Sequence, residues 1–431
     1  MKGCAIGIDF GTTNSSIARC VDAGFTVELA RFPLFGEDTE AYRSLLYLEA
    51  LRQNGKSGIV SWTGPFGIER YLSRENAGRL IQSLKSFLTS RSLKTTDVFG
   101  RRVTLEDLIA RILRDLREKA EKQFGIPITA AVAGRPVRFV GAETEADNAY
   151  AEGRLREAYR LAGFERIEFE LEPVAAAHYY EATLQRDELI LIGDFGGGTS
   201  DFSLIRVGPT IRRRGRTPDD LLGNAGVGLA GDAFDAKIVR HLVSPHLGAG
   251  SNLRSIDKIL PVPTWVYAKL ERWHHLSLLK ARDTMNMLAS VKVQALEPHK
   301  IEALIHLVEE DLGYQLHQSV QKTKCDLSSN ESARFRLYDG LIDLDAMVER
   351  RAFEEWIAEE VDIIERCVDS LLESSGVRRA DVNMVFLTGG TSYVPAVRRI
   401  FETRFGAKRI RTGGEFTSVA QGLALKAREL S

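Results

Sequence analysis

Apolar positions along the chain alternate between short β-prone runs closed by glycine turns and longer runs with helical spacing. Near the start, Gly7-Ile8-Asp9-Phe10-Gly11-Thr12-Thr13-Asn14-Ser15-Ser16-Ile17 reads as a strand, a tight turn and a returning strand. The plan recurs at Leu191-Ile192-Gly193-Asp194-Phe195-Gly196-Gly197-Gly198-Thr199-Ser200-Asp201-Phe202 and continues through Leu204 and Val207. Further strands are expected over 25–32, 44–51, 58–62, 128–132, 167–171, 334–338 and 382–387, with Asn54-Gly55 turning the 44–51 and 58–62 pair. Helical spacing predicts helices over 79–88, 104–124, 142–162, 174–184, 232–242, 316–327, 344–374, 395–405 and 418–429. Residues from about 243 to 330 read as a largely helical segment. Thr104-Leu105-Glu106-Asp107 is a capping box, and Gly125 and Gly163 stop their helices. Pro173 suits the first turn of its helix, which leaves Glu172 at the positive helix end.

The two hairpins carry the chemistry. Adjacent glycines expose backbone N–H groups with no Cβ in the way, so Gly196, Gly197 and Gly198 can close around a phosphate. Asp194 and Asp201 bracket that loop and suit a hydrated cation, because magnesium takes a few carboxylates and keeps several waters. Two facing hairpins of this type would enclose a polyphosphate and its metal from opposite sides.

Other motifs fail their context. Ala50 to Ser57 loosely matches a P-loop, but its middle lacks glycine and the following residues read as extended, not as a helix start. Gly226-Val227-Gly228-Leu229-Ala230-Gly231 matches a dinucleotide fingerprint without an apolar strand directly before it. Arg212-Arg213-Arg214-Gly215-Arg216 lacks aromatic interleaving and reads as a solvated hairpin tip, so no nucleic-acid partner is expected. His274 and His275 are adjacent and point to different helix faces, a poor metal pair.

Size and composition narrow the class. At 431 residues the chain exceeds one core, so at least two lobes are expected. A hydrophobic fraction of 44% with 27% charged residues is ordinary globular composition. The net charge of −1 exerts no global pull on nucleic acid or membrane, and no run reaches membrane-span length. An acid at position 9 argues against a signal peptide, and Cys4, Cys20, Cys325 and Cys367 lack paired spacing, so a cytoplasmic location is expected.

On these motifs the chain resembles the ATPase module shared by actin, sugar kinases and DnaK-type heat-shock chaperones, most closely the DnaK type. The run from Ile8 to Ser15 is similar to that family's first phosphate motif, Asp194 to Asp201 to its second, and Thr388-Gly389-Gly390-Thr391 to its adenosine motif. Glu172-Pro173-Val174-Ala175-Ala176-Ala177 resembles the connection between lobes, and Gly231 to Asp235 and Arg351 to Glu355 also have counterparts. The resemblance implies an actin-like α/β fold, each lobe built on a five-stranded mixed sheet flanked by helices, with two smaller subdomains. It implies a first lobe over 1–188 with a subdomain near 36–103, a second over 189–411 with a subdomain near 231–330, and a closing helix over 412–431.

The resemblance also implies site residues. Ser83-Leu84-Lys85-Ser86-Phe87-Leu88 falls where the chaperones carry a lysine that reaches the terminal phosphate. Lys85, Glu172, Asp194 and Thr199 would be catalytic, and Gly11, Thr12, Thr13, Asn14 and Gly196 to Gly198 would line the phosphates of ATP or ADP. Asp9, Asp194 and Asp201 would hold magnesium through water. Lys324, Ser328, Gly389, Gly390, Thr391 and Tyr393 would meet the adenosine. Gln321 and Cys325 replace the family's glutamate and arginine, and Tyr393 replaces an arginine, offering a ring to stack on adenine. The chain stops at Ser431, before the family's apolar linker and peptide-binding β-sandwich, so it is expected not to grip unfolded peptides by itself. The implied function is slow Mg-dependent ATP hydrolysis by a chaperone relative that acts through a protein partner or co-chaperone. The alternatives are a sugar or small-molecule kinase, for which no acceptor pocket can be located, and an actin-like scaffold or filament protein.

Overall fold

Two sheets built to one plan dominate the computed structural model, which describes residues 4–21, 26–53, 56–73, 78–255, 258–272, 279–413 and 417–428. In the first sheet the path runs Arg166–Leu171, Ile128–Arg135, Cys4–Phe10, Asn14–Cys20 and Val27–Leu29, with Tyr42–Arg43 added beside Asn14–Cys20. In the second it runs Leu221–Val227, Ser200–Val207, Glu188–Phe195, Met384–Thr388 and Ile410–Thr412. Each has an antiparallel hairpin at its centre and parallel strands on one side. This is the mixed-sheet actin-like plan that the sequence implies, with the first sheet one short strand larger.

Two helices lie between the sheets, Glu172–Glu181 and Ser418–Ala427. Val174, Ala175, Val419 and Leu423 share one core cluster with Ala5 and Val132 of the first sheet and Ile190, Ile205 and Phe386 of the second. Small residues allow the close approach. A Cβ on Gly422 would sit 1.7 Å from the Ala175 carbonyl oxygen, and one on Gly7 would sit 2.2 Å from the Ala424 nitrogen.

Chain contacts divide the protein into two compact units, Met1–Gly231 with Ile363–Ser431, and Asp232–Asp362. Both sheets belong to the first. The second contains helices Arg282–Gln294, Pro298–Glu309 and Gly313–Ser329 and two hairpins, Asn252–Ser255 with Lys258–Pro261 and Ser332–Asp339 with Ile342–Glu349. Among the described residues, no helix is long and apolar enough to cross a membrane.

Helix Leu105–Phe124 has the expected box, with reciprocal bonds between Thr104 and Asp107, and ends at Gly125 in the left-handed region. Two expected helices differ. Residues 79–88 form strand Gly78–Gln82, paired with Leu45–Gln53, then a single 3-10 turn, Leu84–Phe87. Ser83 between them takes φ of 54°, a left-handed value that no continuous helix accommodates. The start of the expected 344–374 helix is instead strand Ile342–Glu349, which alternates buried Ile342, Leu344 and Val348 with exposed residues. Its signal is Asp339-Gly340, a strong hairpin turn. The arginine run lies in the connection between antiparallel strands Ser200–Val207 and Leu221–Val227, where Arg212, Arg213 and Arg214 are exposed on a short helix, Pro209–Arg214. The Asn54-Gly55 turn, Trp273 and the His274-His275 pair fall outside the described residues.

The helix crossing yields a test. Gly422→Ala should cost about 1–3 kcal/mol or more, because backbone has to move to admit the methyl group. Gly153→Ala, on helix Glu145–Leu161 with nothing within 4 Å of its new methyl, should gain about 0.5–1 kcal/mol. Urea unfolding of both variants measures this, and an unchanged midpoint for Gly422→Ala would refute the crossing geometry.

Candidate functional site

Both hairpins place an acid at the end of the outgoing strand. Asp9 sits opposite Ser16 and Phe10 opposite Ser15, while Asp194 sits opposite Asp201 and Phe195 opposite Ser200. The Gly196 N–H donates to the Thr199 carbonyl at 2.9 Å and closes the second turn. Gly11 is required by space, since its Cβ would lie 2.2 Å from the Asn14 carbonyl oxygen. The two turns face each other, and a Cβ on Gly198 would be 3.4 Å from the Thr12 hydroxyl and 3.7 Å from the Ser86 hydroxyl.

A third loop joins them. Asp194 is the parallel neighbour of Thr388, and Gly389 follows with φ of 84°. A Cβ there would stand 2.0 Å from the Phe195 carbonyl oxygen, so the loop lies directly on the second hairpin. Gly390–Tyr393 then forms a short 3-10 turn with Thr391 buried and Tyr393 half-buried.

Charge concentrates where these loops meet. The Lys85 ammonium donates to Glu172 Oε1 at 2.6 Å, and both side chains are more than nine-tenths buried. Burial pushes the Asp9 carboxyl up to about 7, the nearby Glu172 adds to the rise, and Lys85 opposes it. Burial and then Glu172 likewise push Asp201 up to about 7, partly offset by hydrogen bonds from Thr199 and the Arg138 and Val137 backbone. Asp194 is also raised well above the usual carboxylate range, by burial first and then by Glu172, Asp9 and Asp201, with Lys85 opposing. Burial alone would lower the Lys85 ammonium, yet Glu172, Asp9 and Asp201 more than compensate and leave it raised. The cluster thus gathers carboxylates around one ammonium and favours an added cation.

The donor set fits magnesium that keeps its waters. Asp201 Oδ1 accepts from the Val137 N–H at 2.7 Å, while its Oδ2 is buried without a partner among the described residues, as is the Thr13 hydroxyl. Among those residues, no three His, Cys, Asp or Glu side chains gather closely enough to hold a metal ion through their own atoms. Carboxylate oxygens acting through water are the kind of site magnesium prefers.

The structure therefore brings together Asp9, Thr12, Lys85, Glu172, Asp194, Gly198, Asp201 and Gly389, all in the first unit. Lys324 and Ser328 lie on helix Gly313–Ser329 of the second. There Lys324 Nζ is 2.7 Å from Asp235 Oδ1, Gln321 donates to the same carboxylate, and Ser328 donates to the Lys324 carbonyl. Sequence reasoning missed Asp235 as the partner of Lys324, although the run from Gly231 to Asp235 was in view. It also missed the reason for Gly226. That glycine lies in edge strand Leu221–Val227, antiparallel to Ser200–Val207, and a Cβ on it would come within 2.6 Å of Asp201 Oδ1. The fingerprint-like glycine makes room for a carboxylate.

Comparison with known proteins places the chain in a family. A family model described as Hsp70 protein matches residues 78–252 and 295–431. The chaperone protein DnaK of Thermus thermophilus is 26% identical over 438 residues, covering 98% of this chain and 60% of that protein. The chaperone protein dnaK of Cyanidium caldarium is 25% identical over 442 residues, with the same coverage of both chains. The chain thus spans about 60% of the length of these relatives. With the family match extending over most of the chain and both acid-bearing hairpins in register at the centres of their sheets, the chain belongs to the Hsp70 family.

Proposed function

We propose that this chain binds Mg-ATP and Mg-ADP where the two hairpins face each other, and hydrolyses ATP slowly to drive a chaperone-family protein that acts through a protein partner. The observation that carries the reading is the buried cluster of Lys85, Glu172, Asp9, Asp194 and Asp201 between two glycine turns. Nothing in ordinary packing calls for so many buried carboxylates around one ammonium.

Each residue has a role in this scheme. Backbone N–H groups of Gly196 to Gly198, with Gly11 and the side chains of Thr12, Thr13 and Asn14, cradle the phosphates. Lys85 exchanges Glu172 for a terminal phosphate oxygen and neutralises charge there. Glu172, released, accepts a hydrogen bond from the attacking water, while Asp194 and Thr199 fix its direction. Water adds to the terminal phosphorus as the bond to the ADP oxygen breaks, giving ADP and inorganic phosphate. Magnesium, when bound through Asp9, Asp194 and Asp201, supplies further neutralisation of the phosphates. A loose phosphoryl-transfer transition state needs this positioning and charge more than covalent help. Gly389, Gly390, Thr391 and Tyr393 meet the base end of the nucleotide in this scheme.

Calorimetry should show adenine-nucleotide binding that is lost on adding EDTA. Absence of magnesium-dependent binding at millimolar nucleotide would sink the proposal.

Turnover and stability should move in opposite directions in Asp194→Asn. Hydrolysis should fall about 100-fold or more in Lys85→Ala and in Asp194→Asn, since both charges act on the transition state. The nucleotide-free Asp194→Asn protein should melt about 2–4 °C higher, the shift that about 1 kcal/mol produces, because a buried carboxyl that is costly to ionise among its acidic neighbours is replaced by a neutral amide. Parental phosphate release by both variants would show the assigned roles to be wrong.

A further inference from the structure

The turn that carries Lys85 leaves a set of carbonyl groups facing one way. A short helical turn has no internal donors for its last C=O groups, which carry partial negative charge. In this protein the Phe87 carbonyl accepts from the Ser90 N–H at 3.0 Å, and one buried side chain reaches that carbonyl together with those of the chain just after the turn. Arg154, on helix Glu145–Leu161, directs Nη1 to the carbonyl oxygens of Ser90 at 3.0 Å and of Phe87 and Leu88 at 3.4 Å. Its Nη2 donates to the Leu93 carbonyl at 3.0 Å, and its Nε donates to Glu106 in the first turn of helix Leu105–Phe124. The side chain is only 7% exposed.

The rest of the segment is fastened from other directions. Leu84 and Leu88 enter the core of the first unit, and the Thr89 hydroxyl donates to the Val140 carbonyl at 2.7 Å. Ser83 enters the turn in a left-handed conformation, which costs energy for a residue with a side chain and has to be held by its surroundings. Between these fixings, Lys85 emerges toward Glu172 and Ser86 abuts Gly198. Loss of the guanidinium would leave four carbonyls without their charged donor and free the stretch from Phe87 to Leu93 to shift. Lysine carries charge but lacks the planar fork of donors, so it cannot span the same set.

We propose that Arg154 is the positioning residue for Lys85: by gathering the carbonyls of Phe87, Leu88, Ser90 and Leu93, it sets where the lysine ammonium stands against the terminal phosphate. This rests on the reading of Lys85 as a phosphate-contacting group. Arg154 itself touches no substrate, so its loss should act on turnover more than on nucleotide affinity.

The test uses the full chain with Arg154→Met and Arg154→Lys, each alone and combined with Lys85→Ala. Arg154→Met should lower kcat for ATP about 10- to 100-fold, the effect of a misplacement near 1 Å, with nucleotide Kd within about threefold of parental. Arg154→Lys should fall between. Amide hydrogen exchange should quicken over 84–93 while helices Leu105–Phe124 and Ser418–Ala427 keep their protection. In the Lys85→Ala background, Arg154→Met should reduce turnover no further. Parental kcat in Arg154→Met, or a full further loss on top of Lys85→Ala, overturns the proposal. If Arg154→Met does not fold, Arg154→Lys is judged by the same criteria. If the parental chain turns over no ATP, the nucleotide reading fails, and unchanged exchange over 84–93 in the Arg154 variants would separately refute the pinning.

Discussion

The ion pair between Lys85 and Glu172 is the constraint around which the first unit is arranged. A buried pair of this kind contributes little net stability, because desolvating both charges roughly cancels their attraction. Adding Asp9, Asp194 and Asp201 nearby makes the balance worse for the empty protein. The strands that carry Asp9 and Asp194 are largely apolar before those acids, with Ile6, Ile8, Ile190 and Ile192 fully buried. The fold therefore invests its stability in the core and holds a deliberately unfavourable charge cluster at the strand ends. A site of that kind is stabilised by any ligand or cation that neutralises it.

The two-helix layer between the sheets is what permits that arrangement. It consists mainly of alanine, glycine and valine where the helices meet, so backbones approach without long side chains between them. Glu172 begins one of these helices, immediately after strand Arg166–Leu171, and so sits at the positive end of the helix and at the sheet margin together. A Cβ on Gly134 of the neighbouring strand would lie 3.1 Å from the Glu172 side chain, so the carboxylate is confined from that side as well.

The parts of this structure that were legible in the sequence are those whose signals are local. The hairpins announce themselves through Asp-Phe-Gly and the hydroxyls that follow, and Thr104 with Asp107 marks a helix start. Residues 79–88 mislead because Ile81, Lys85 and Leu88 have helical spacing, while strand pairing of Tyr47 with Leu80 overrides it. Strand Ile342–Glu349 was missed by overlooking Asp339-Gly340 in favour of the helical residues that follow. Arg154 and Asp235 gain their meaning only from partners far along the chain, so no window of sequence could have disclosed them. Lys85 is the intermediate case. Its own spacing carries no mark of a site, and only the resemblance to a family singles it out.

Gly389 presses on the Phe195 carbonyl with no side chain between, one residue beyond Asp194. Contact between two backbones has no rotamers to absorb a displacement, so the loop and the acid behave mechanically as a single part. In the proposed nucleotide site, a change of base at one end would then be felt as a change of alignment at the other. Discrimination between nucleotides there would be expressed in the rate of the chemical step as much as in the strength of binding.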